Sequence, residues 1–169
     1  MERAHSATLQ SEPGAVRDAG ETLARALADE AAADLARARY RTQAMAALPP
    51  DEQIGRLLVP GERVVAVRRS ALLERRQPQP GARETGGLGG TLYVTSQRLV
   101  LVGRASLSFG LGAIQDVMLS GDRLLVVLRD GQGLTVHVQQ PRLLRVELAA
   151  ARAAQTGGKR VAEDQVPAR

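Results

Sequence analysis

Gly90-Thr91-Leu92-Tyr93-Val94-Thr95-Ser96-Gln97-Arg98-Leu99-Val100-Leu101-Val102-Gly103 is the stretch from which the fold can be read. Leu92 to Val94 and Leu99 to Val102 are short runs of β-branched and large apolar residues, parted by the polar Thr95-Ser96-Gln97. That pattern predicts a β-hairpin. Thr95 and Ser96 can bond nearby amides to set the turn, and Arg98 can lay its stem across the sheet with its guanidinium on a turn carbonyl or an acid.

More strands flank the hairpin. Before it, Glu62 to Arg69 reads as a strand that continues through Ala71 to Arg76 past a bend at Ser70. Residues 77–89 then form a Pro- and Gly-punctuated loop that cannot sit in a central strand. After the hairpin, Ala105 to Phe109 alternates small or polar with large apolar residues, which predicts a half-buried strand with Leu107 and Phe109 inward. Ala113 to Leu119, Arg123 to Arg129 and Leu134 to Val138 supply three more, the last two joined by Asp130-Gly131, a strong hairpin signal.

Helices are expected at both ends. Ala15 to Ala47 is Ala-rich, with Val16, Leu23, Leu27, Ala31, Ala38, Met45 and Leu48 on one stripe, and Pro49-Pro50 stops it. Asp51 can cap a short helix through Leu58 before Pro60-Gly61 turns the chain. Pro141 suits a first helical position, and Leu143, Leu144, Val146, Leu148, Ala150 and Ala151 cover a broad face of the segment that follows, with Arg142, Arg145 and Arg152 on the other side. The expected organisation is a disordered 1–14, an amphipathic Ala-rich helix over 15–50, a folded domain over 51–154 and a disordered tail over 155–169.

Composition narrows the function. The 169 residues include only two Tyr, one Phe and no Trp, so the core must be aliphatic. The absence of Cys rules out disulfides and thiol chemistry. Neither a secretory start nor an apolar run of about 18 residues is visible, so the expectation is a cytoplasmic protein whose membrane contact, if any, is peripheral. The net charge of +5 is uneven: residues 1–56 hold 7 Arg against 9 acids, whereas residues 57–154 hold 13 Arg against 7.

Few residues suit catalysis. Gly86 to Thr91 is not followed by Lys and leads into a strand, where a phosphate cradle needs a helix N-terminus. His5 lies in a loose terminus, and His137 faces outward with no acidic orienter visible in the sequence. Asp116, Asp122 and Asp130 lack the alternating oxygen ligands of a calcium loop. No enzyme activity, cofactor or metal is expected. Arg68, Arg69, Arg75, Arg76 and Arg83 form a candidate patch for an anionic ligand, with solvated edge residues as the alternative. Nucleic acid is an unfavoured partner, because no aromatic stacking platform accompanies the charge.

Pro60-Gly61-Glu62 followed by Gly90 to Leu99 resembles the GRAM and bacterial pleckstrin-homology (PH)-like group, whose pattern reads roughly G-x-L-Y-[VL]-T-[NS]-x-R-L. Ser96 stands where Asn is commoner. The resemblance covers residues 57–154 and marks a structural hairpin through Gly90, Tyr93, Thr95 and Arg98. It implies an α+β, mainly β fold: a PH-like seven-stranded antiparallel barrel capped by a C-terminal α-helix, here preceded by a long N-terminal α-helix. The function it implies is that of a non-catalytic binding or adaptor module docking on anionic lipid or on a protein partner. The alternative is a structural protein that self-associates through its N-terminal helix, so a homo-oligomer is possible.

Overall fold

The computed structural model describes the backbone of residues 13–76 and 87–163, and side chains over 20–75 and 87–157. Arg83 and most of the loop after the first strand lie outside the described residues, as do the first twelve and last six positions.

Seven antiparallel strands form one sheet: β1 (Val64–Arg76), β2 (Leu88–Thr95), β3 (Arg98–Gly103), β4 (Ser106–Gly110), β5 (Ile114–Ser120), β6 (Arg123–Leu128) and β7 (Gly133–His137). Their order is β4-β3-β2-β1-β7-β6-β5. β1 makes this order possible. It pairs with β2 from Val64 to Leu73, but with β7 only from Leu72 to Arg76. At Ser70 the backbone enters the left-handed region with φ 56°, and the β1–β2 register shifts between Arg68 and Ala71. Such a bulge bends a strand. The bend lets one strand serve both halves of the sheet.

The expected barrel is not closed by hydrogen bonds, because β4 and β5 are the two free edges of the sheet. A single 3₁₀ turn, Leu111–Ala113, carries the chain between them. Leu111 is 1% exposed and fills the opening from inside, packed in the same core as the strands. Gly90 stands directly opposite Gly103 across β2 and β3. A Cβ at Gly90 would lie 2.3 Å from the Val102 carbonyl oxygen, so the two backbones approach too closely for any side chain there.

Among the described residues three α-helices accompany the sheet: α1 (Pro13–Tyr40), α2 (Glu52–Gly55) and α3 (Pro141–Glu163). The inner core joins Leu73, Leu92, Leu101, Ile114, Leu124 and Leu134 from the strands to Leu144, Leu148 and Ala151 of α3. A second cluster, Ile54, Val64, Tyr93 and Val100, lies on the outer face of β1–β3 beneath α2. A third joins Ala33 and Ala36 of α1 to Val146 of α3. α3 is therefore a layer between the sheet and α1.

Four helix boundaries depart from expectation: α1 begins at Pro13, inside the segment expected to be disordered, and α2 stops at Gly55, short of Leu58. α1 ends at Tyr40, not Ala47, because the chain must extend: Leu48 bonds to the Val64 carbonyl at 2.8 Å and forms a bridge beside β1, and Met45 packs against the inner core. α3 runs through Gly157-Gly158 to Glu163, beyond the expected end at Ala154. Two glycines cost a helix about 1 kcal/mol each, which weakens it without the steric stop a proline imposes.

Leu144→Ala or Leu148→Ala, each removing a side chain at most 1% exposed, is expected to destabilise the chain by about 2–4 kcal/mol in urea denaturation. Arg145→Ala, on the exposed side of α3, should change stability by less than about 0.5 kcal/mol. Equal effects would mean that the leucine face does not hold α3.

Candidate functional site

Three segments meet at the turn between β2 and β3. The buried Thr95 donates its hydroxyl to Glu62 Oε1 at 2.6 Å, and its oxygen accepts from the Gln97 and Arg98 amides at 3.1 and 2.9 Å. Arg98 forks onto the same carboxylate, Nε to Oε1 and Nη2 to Oε2, both at 2.9 Å, and Nη2 also reaches the Leu57 carbonyl. The Val59 amide gives Glu62 Oε2 another donor at 3.0 Å. Gly61, at φ 80°, makes the turn that aims Glu62 inward. Burial pushes the Glu62 carboxyl up, but hydrogen bonds from Arg98, Thr95 and the Val59 amide together hold it below its ordinary range. The arrangement is a structural lock in which one carboxylate joins the β2–β3 turn to the segment entering β1.

Tyr93 extends the same arrangement. Its hydroxyl donates to Asp51 Oδ2 at 2.6 Å, while Asp51 Oδ1 caps α2 through the Gln53 and Ile54 amides. Burial, then the Asp51 carboxylate, pushes the Tyr93 phenol up to about 12. Tyr93 is thereby a neutral donor that ties β2 to α2.

The three candidate arginines with described side chains, Arg68, Arg69 and Arg75, point to different surroundings. Arg68 turns to α3, where its Nη2 donates to Glu147 Oε2 at 2.6 Å; the two side chains are 11% and 10% exposed. At this position the candidate anion-binding arginine is paired inside the chain, since a charge almost enclosed by protein needs a counter-charge. Burial pushes the Glu147 carboxyl up, and Arg68 opposes the shift. Arg69 is exposed on the outer side, within electrostatic reach of Asp51 and Tyr93. Arg75, also exposed, lies 5.8 Å over the ring of Phe109. Arg76 pairs through its backbone with Gly133, but its side chain, like Arg83, lies outside the described residues.

Beside the Arg68–Glu147 pair is a cleft of about 260 Å³ lined by Arg39, Tyr40, Leu48, Val65 and Val67 among others. Burial, followed by the nearby Glu147 charge, raises the Tyr40 phenol. Arg68 Nε is buried there with no hydrogen-bond partner among the described residues. The cleft holds a charge pair and a neutral phenol, with no nucleophile beside a base.

α1 is fixed by an acid. Asp29, 3% exposed, accepts from the Arg142 and Leu143 amides at 2.9 and 3.0 Å and so caps α3 from another helix. Arg142 Nε pairs with Glu30 at 2.9 Å. The face that meets α3 carries Asp29, Ala33, Ala36 and Tyr40, and Leu23 and Leu27 of the expected stripe lie elsewhere, 61% and 62% exposed; Leu35, not part of that stripe, is 74% exposed. At 3.6 residues per turn the leucines lie roughly opposite the α3 contact. Small residues let two helix axes approach closely, and a buried acid with two amide donors fixes their register; leucines on that side would hold the helices apart.

His137 has the acidic neighbour that the sequence did not reveal, Glu74 Oε2 at 3.3 Å from Nε2 across the β1–β7 ladder. It is half exposed, with no nucleophile among its described hydrogen-bond partners. Arg152 also differs from expectation, because Nη2 donates to the Ile114 carbonyl at 2.7 Å and anchors α3 to β5. No described helix is long and apolar enough to cross a membrane.

No family model and no curated protein matches the sequence. Among solved structures the chain is similar to the C-terminal domain of an unknown protein from Leishmania infantum, at 15% identity and TM-score 0.46 over 60% of this chain and 93% of that one. It is also similar to the PH domain of USP37, at 18% identity and TM-score 0.38 over 52% and 95%. The N-terminal PH domain of human ARAP2 gives 15% identity and TM-score 0.35 over 61% and 87%. The fold is PH-like. That assignment rests on the seven antiparallel strands, their order and the closing helix.

Two buried carboxylates yield expected outcomes of opposite sign. Glu62→Gln should destabilise the chain by about 3 kcal/mol near neutral pH, because Arg98 loses its counter-charge. A carboxyl held below its unfolded value adds stability that is present above that value and lost as pH falls through the folded one. Wild-type stability should therefore drop on acidification below the ordinary glutamate value of 4.5 more than that of Glu62→Gln. Glu147 is raised, so its own contribution is present below the ordinary value and lost as pH rises through the folded one. Arg68→Met should likewise cost about 3 kcal/mol by stranding Glu147, and Arg68→Met with Glu147→Leu should recover most of it. If Arg68→Met left stability unchanged in chemical denaturation, the ion pair would not be structural.

Proposed function

We propose that this chain is a non-catalytic, PH-like docking module of the GRAM-like kind, and that it binds a protein partner through α1. The observation that carries the reading is the exposure of Leu23, Leu27 and Leu35 on a helix already fixed to its domain by Asp29. Covering one leucine is worth roughly 1.5–3 kcal/mol, and contiguous apolar surface on a folded protein marks an interaction site. A rigid helix loses little further entropy when it docks.

Anionic lipid is the less supported partner. Arg68 is neutralised by Glu147, and Arg69 and Arg75 lie on different sides of the bent β1. A helix that lies in a membrane surface wants a basic polar face and bulky aromatics, whereas α1 flanks its leucines with Glu21, Glu30 and Asp34 and carries a single Tyr.

The chain contains no Cys, so Leu27→Cys introduces a unique thiol. Maleimide labelling of that variant is expected to be fast in dilute purified protein and at least fivefold slower in its native cells, where the partner covers α1. In vesicle sedimentation, Arg69→Gln/Arg75→Gln should bind anionic vesicles no more weakly than Arg104→Gln/Arg145→Gln, which removes the same charge elsewhere. Equal labelling in both settings, with vesicle binding lost only in the Arg69/Arg75 variant, would overturn protein docking in favour of a lipid surface.

A further inference from the structure

We infer that the partner on α1 is a second copy of this chain, the two α1 helices packing antiparallel about a two-fold axis near Ala31; this rests on the docking reading above. The argument is the charge pattern around the exposed leucines. At 3.6 residues per turn, Glu21 and Arg39 fall on the same flank of the stripe, one near each end and eighteen positions apart. In an antiparallel pair related by a two-fold axis, like flanks face each other, so Glu21 of each copy meets Arg39 of the other. A parallel pair would leave these charges about 27 Å apart along the axis. Among the described residues Glu21 pairs only with the exposed Arg25, at 3.3 Å, and Arg39, at the cleft beside Glu147, makes no ion pair.

The opposite flank is already balanced. Arg37 bonds Glu30 and Asp34 within the chain, and Arg142 bonds Glu30, so two acids face two arginines and nothing there repels a second copy. Two of the three exposed leucines fit their own reversal, and Leu23 falls in the layer of Arg39. An axis near Ala31 sets Leu27 against Leu35 of the other copy and Ala24 against Ala38, which pairs large with large and small with small in successive layers. The face holding α3 lies roughly opposite, so both sheets project away from the contact.

Sedimentation equilibrium of the full chain is expected to give a concentration-dependent species of twice the 18.0 kDa chain mass. Leu27→Gln/Leu35→Gln should be monomeric with an unchanged thermal melt, which shows that the loss is not unfolding. Glu21→Arg and Arg39→Glu should each weaken association about tenfold, since each touches two symmetric contacts, and the double variant should restore it. On oxidation Ala31→Cys should cross-link to its copy, whereas Ala24→Cys should not, being about 20 Å from its equivalent in an antiparallel pair. A chain that stays monomeric at every concentration, or an Ala24→Cys variant that links as readily as Ala31→Cys, overturns the antiparallel pair. A monomer whose Leu27→Cys thiol is still protected in cells leaves protein docking standing with another partner; a monomer with an unprotected thiol removes both.

Discussion

The Glu62 carboxylate holds together parts of the chain that the sheet alone would leave loosely joined. It is buried, yet it accepts from Thr95, from both arms of Arg98 and from the Val59 amide, so each lone-pair direction has a donor. Those donors belong to the β2–β3 turn and to the segment entering β1. The lock therefore sets where β1 starts relative to the hairpin, and hence the β1–β2 register. Because β1 also pairs with β7 beyond its bend, an error at Glu62 would pass to both halves of the sheet. A half-satisfied buried network is worse than an apolar core, so these residues stand or fall together.

The second constraint concerns α3. Its leucines enter the sheet core, while Val146 and the capped N-terminus belong to the contact with α1. Two amides at the start of α3 would lack intrahelical partners, and Asp29 supplies the acceptors from another element. α1 thus belongs to the folded body and is not a detached arm, and whatever binds its outer face binds the whole domain in a fixed orientation.

Much of this was legible in the sequence, for reasons that also mark where legibility stopped. The strands show because Leu92 to Val94, Leu99 to Val102 and Leu124 to Leu128 are β-prone runs bounded by turn residues, and order plus a final amphipathic helix suggests the fold. Thr95 and Arg98 could be read as turn residues, but Glu62 as their shared acceptor could not, since it lies more than thirty positions away. Arg68 looked like a surface cation because nothing local distinguishes it from Arg69; its partner Glu147 is 79 positions distant. α1 misled in a different way. Hydrophobicity selects Leu23 and Leu27 as the buried stripe, whereas helix–helix contact selected Ala33, Ala36 and a capping acid. Residue size, not apolarity, decided which side faced α3. Likewise the open seam between β4 and β5 is invisible in a strand count, because Leu111 sits in a turn of three residues.

The location of that seam bears on how this protein can associate. An open sheet has two edges whose free amides and carbonyls invite pairing with another chain. Here both are guarded: β4 is five residues long and shows Ser106, Ser108 and Gly110 to solvent, and β5 is broken by a register shift between Ile114 and Asp116. Short or bulged edge strands resist strand-to-strand addition. Arg152 further ties β5 to α3 through the Ile114 carbonyl, which removes one edge acceptor. With both edges discouraged from pairing, the leucine face of α1 is the surface on which contact gains most, since it offers apolar area on a helix that need not rearrange. Association through α1, whose α3-facing side lies roughly opposite the leucines, also leaves the strand edges uncovered, so a paired molecule would keep two copies of its sheet free for further binding.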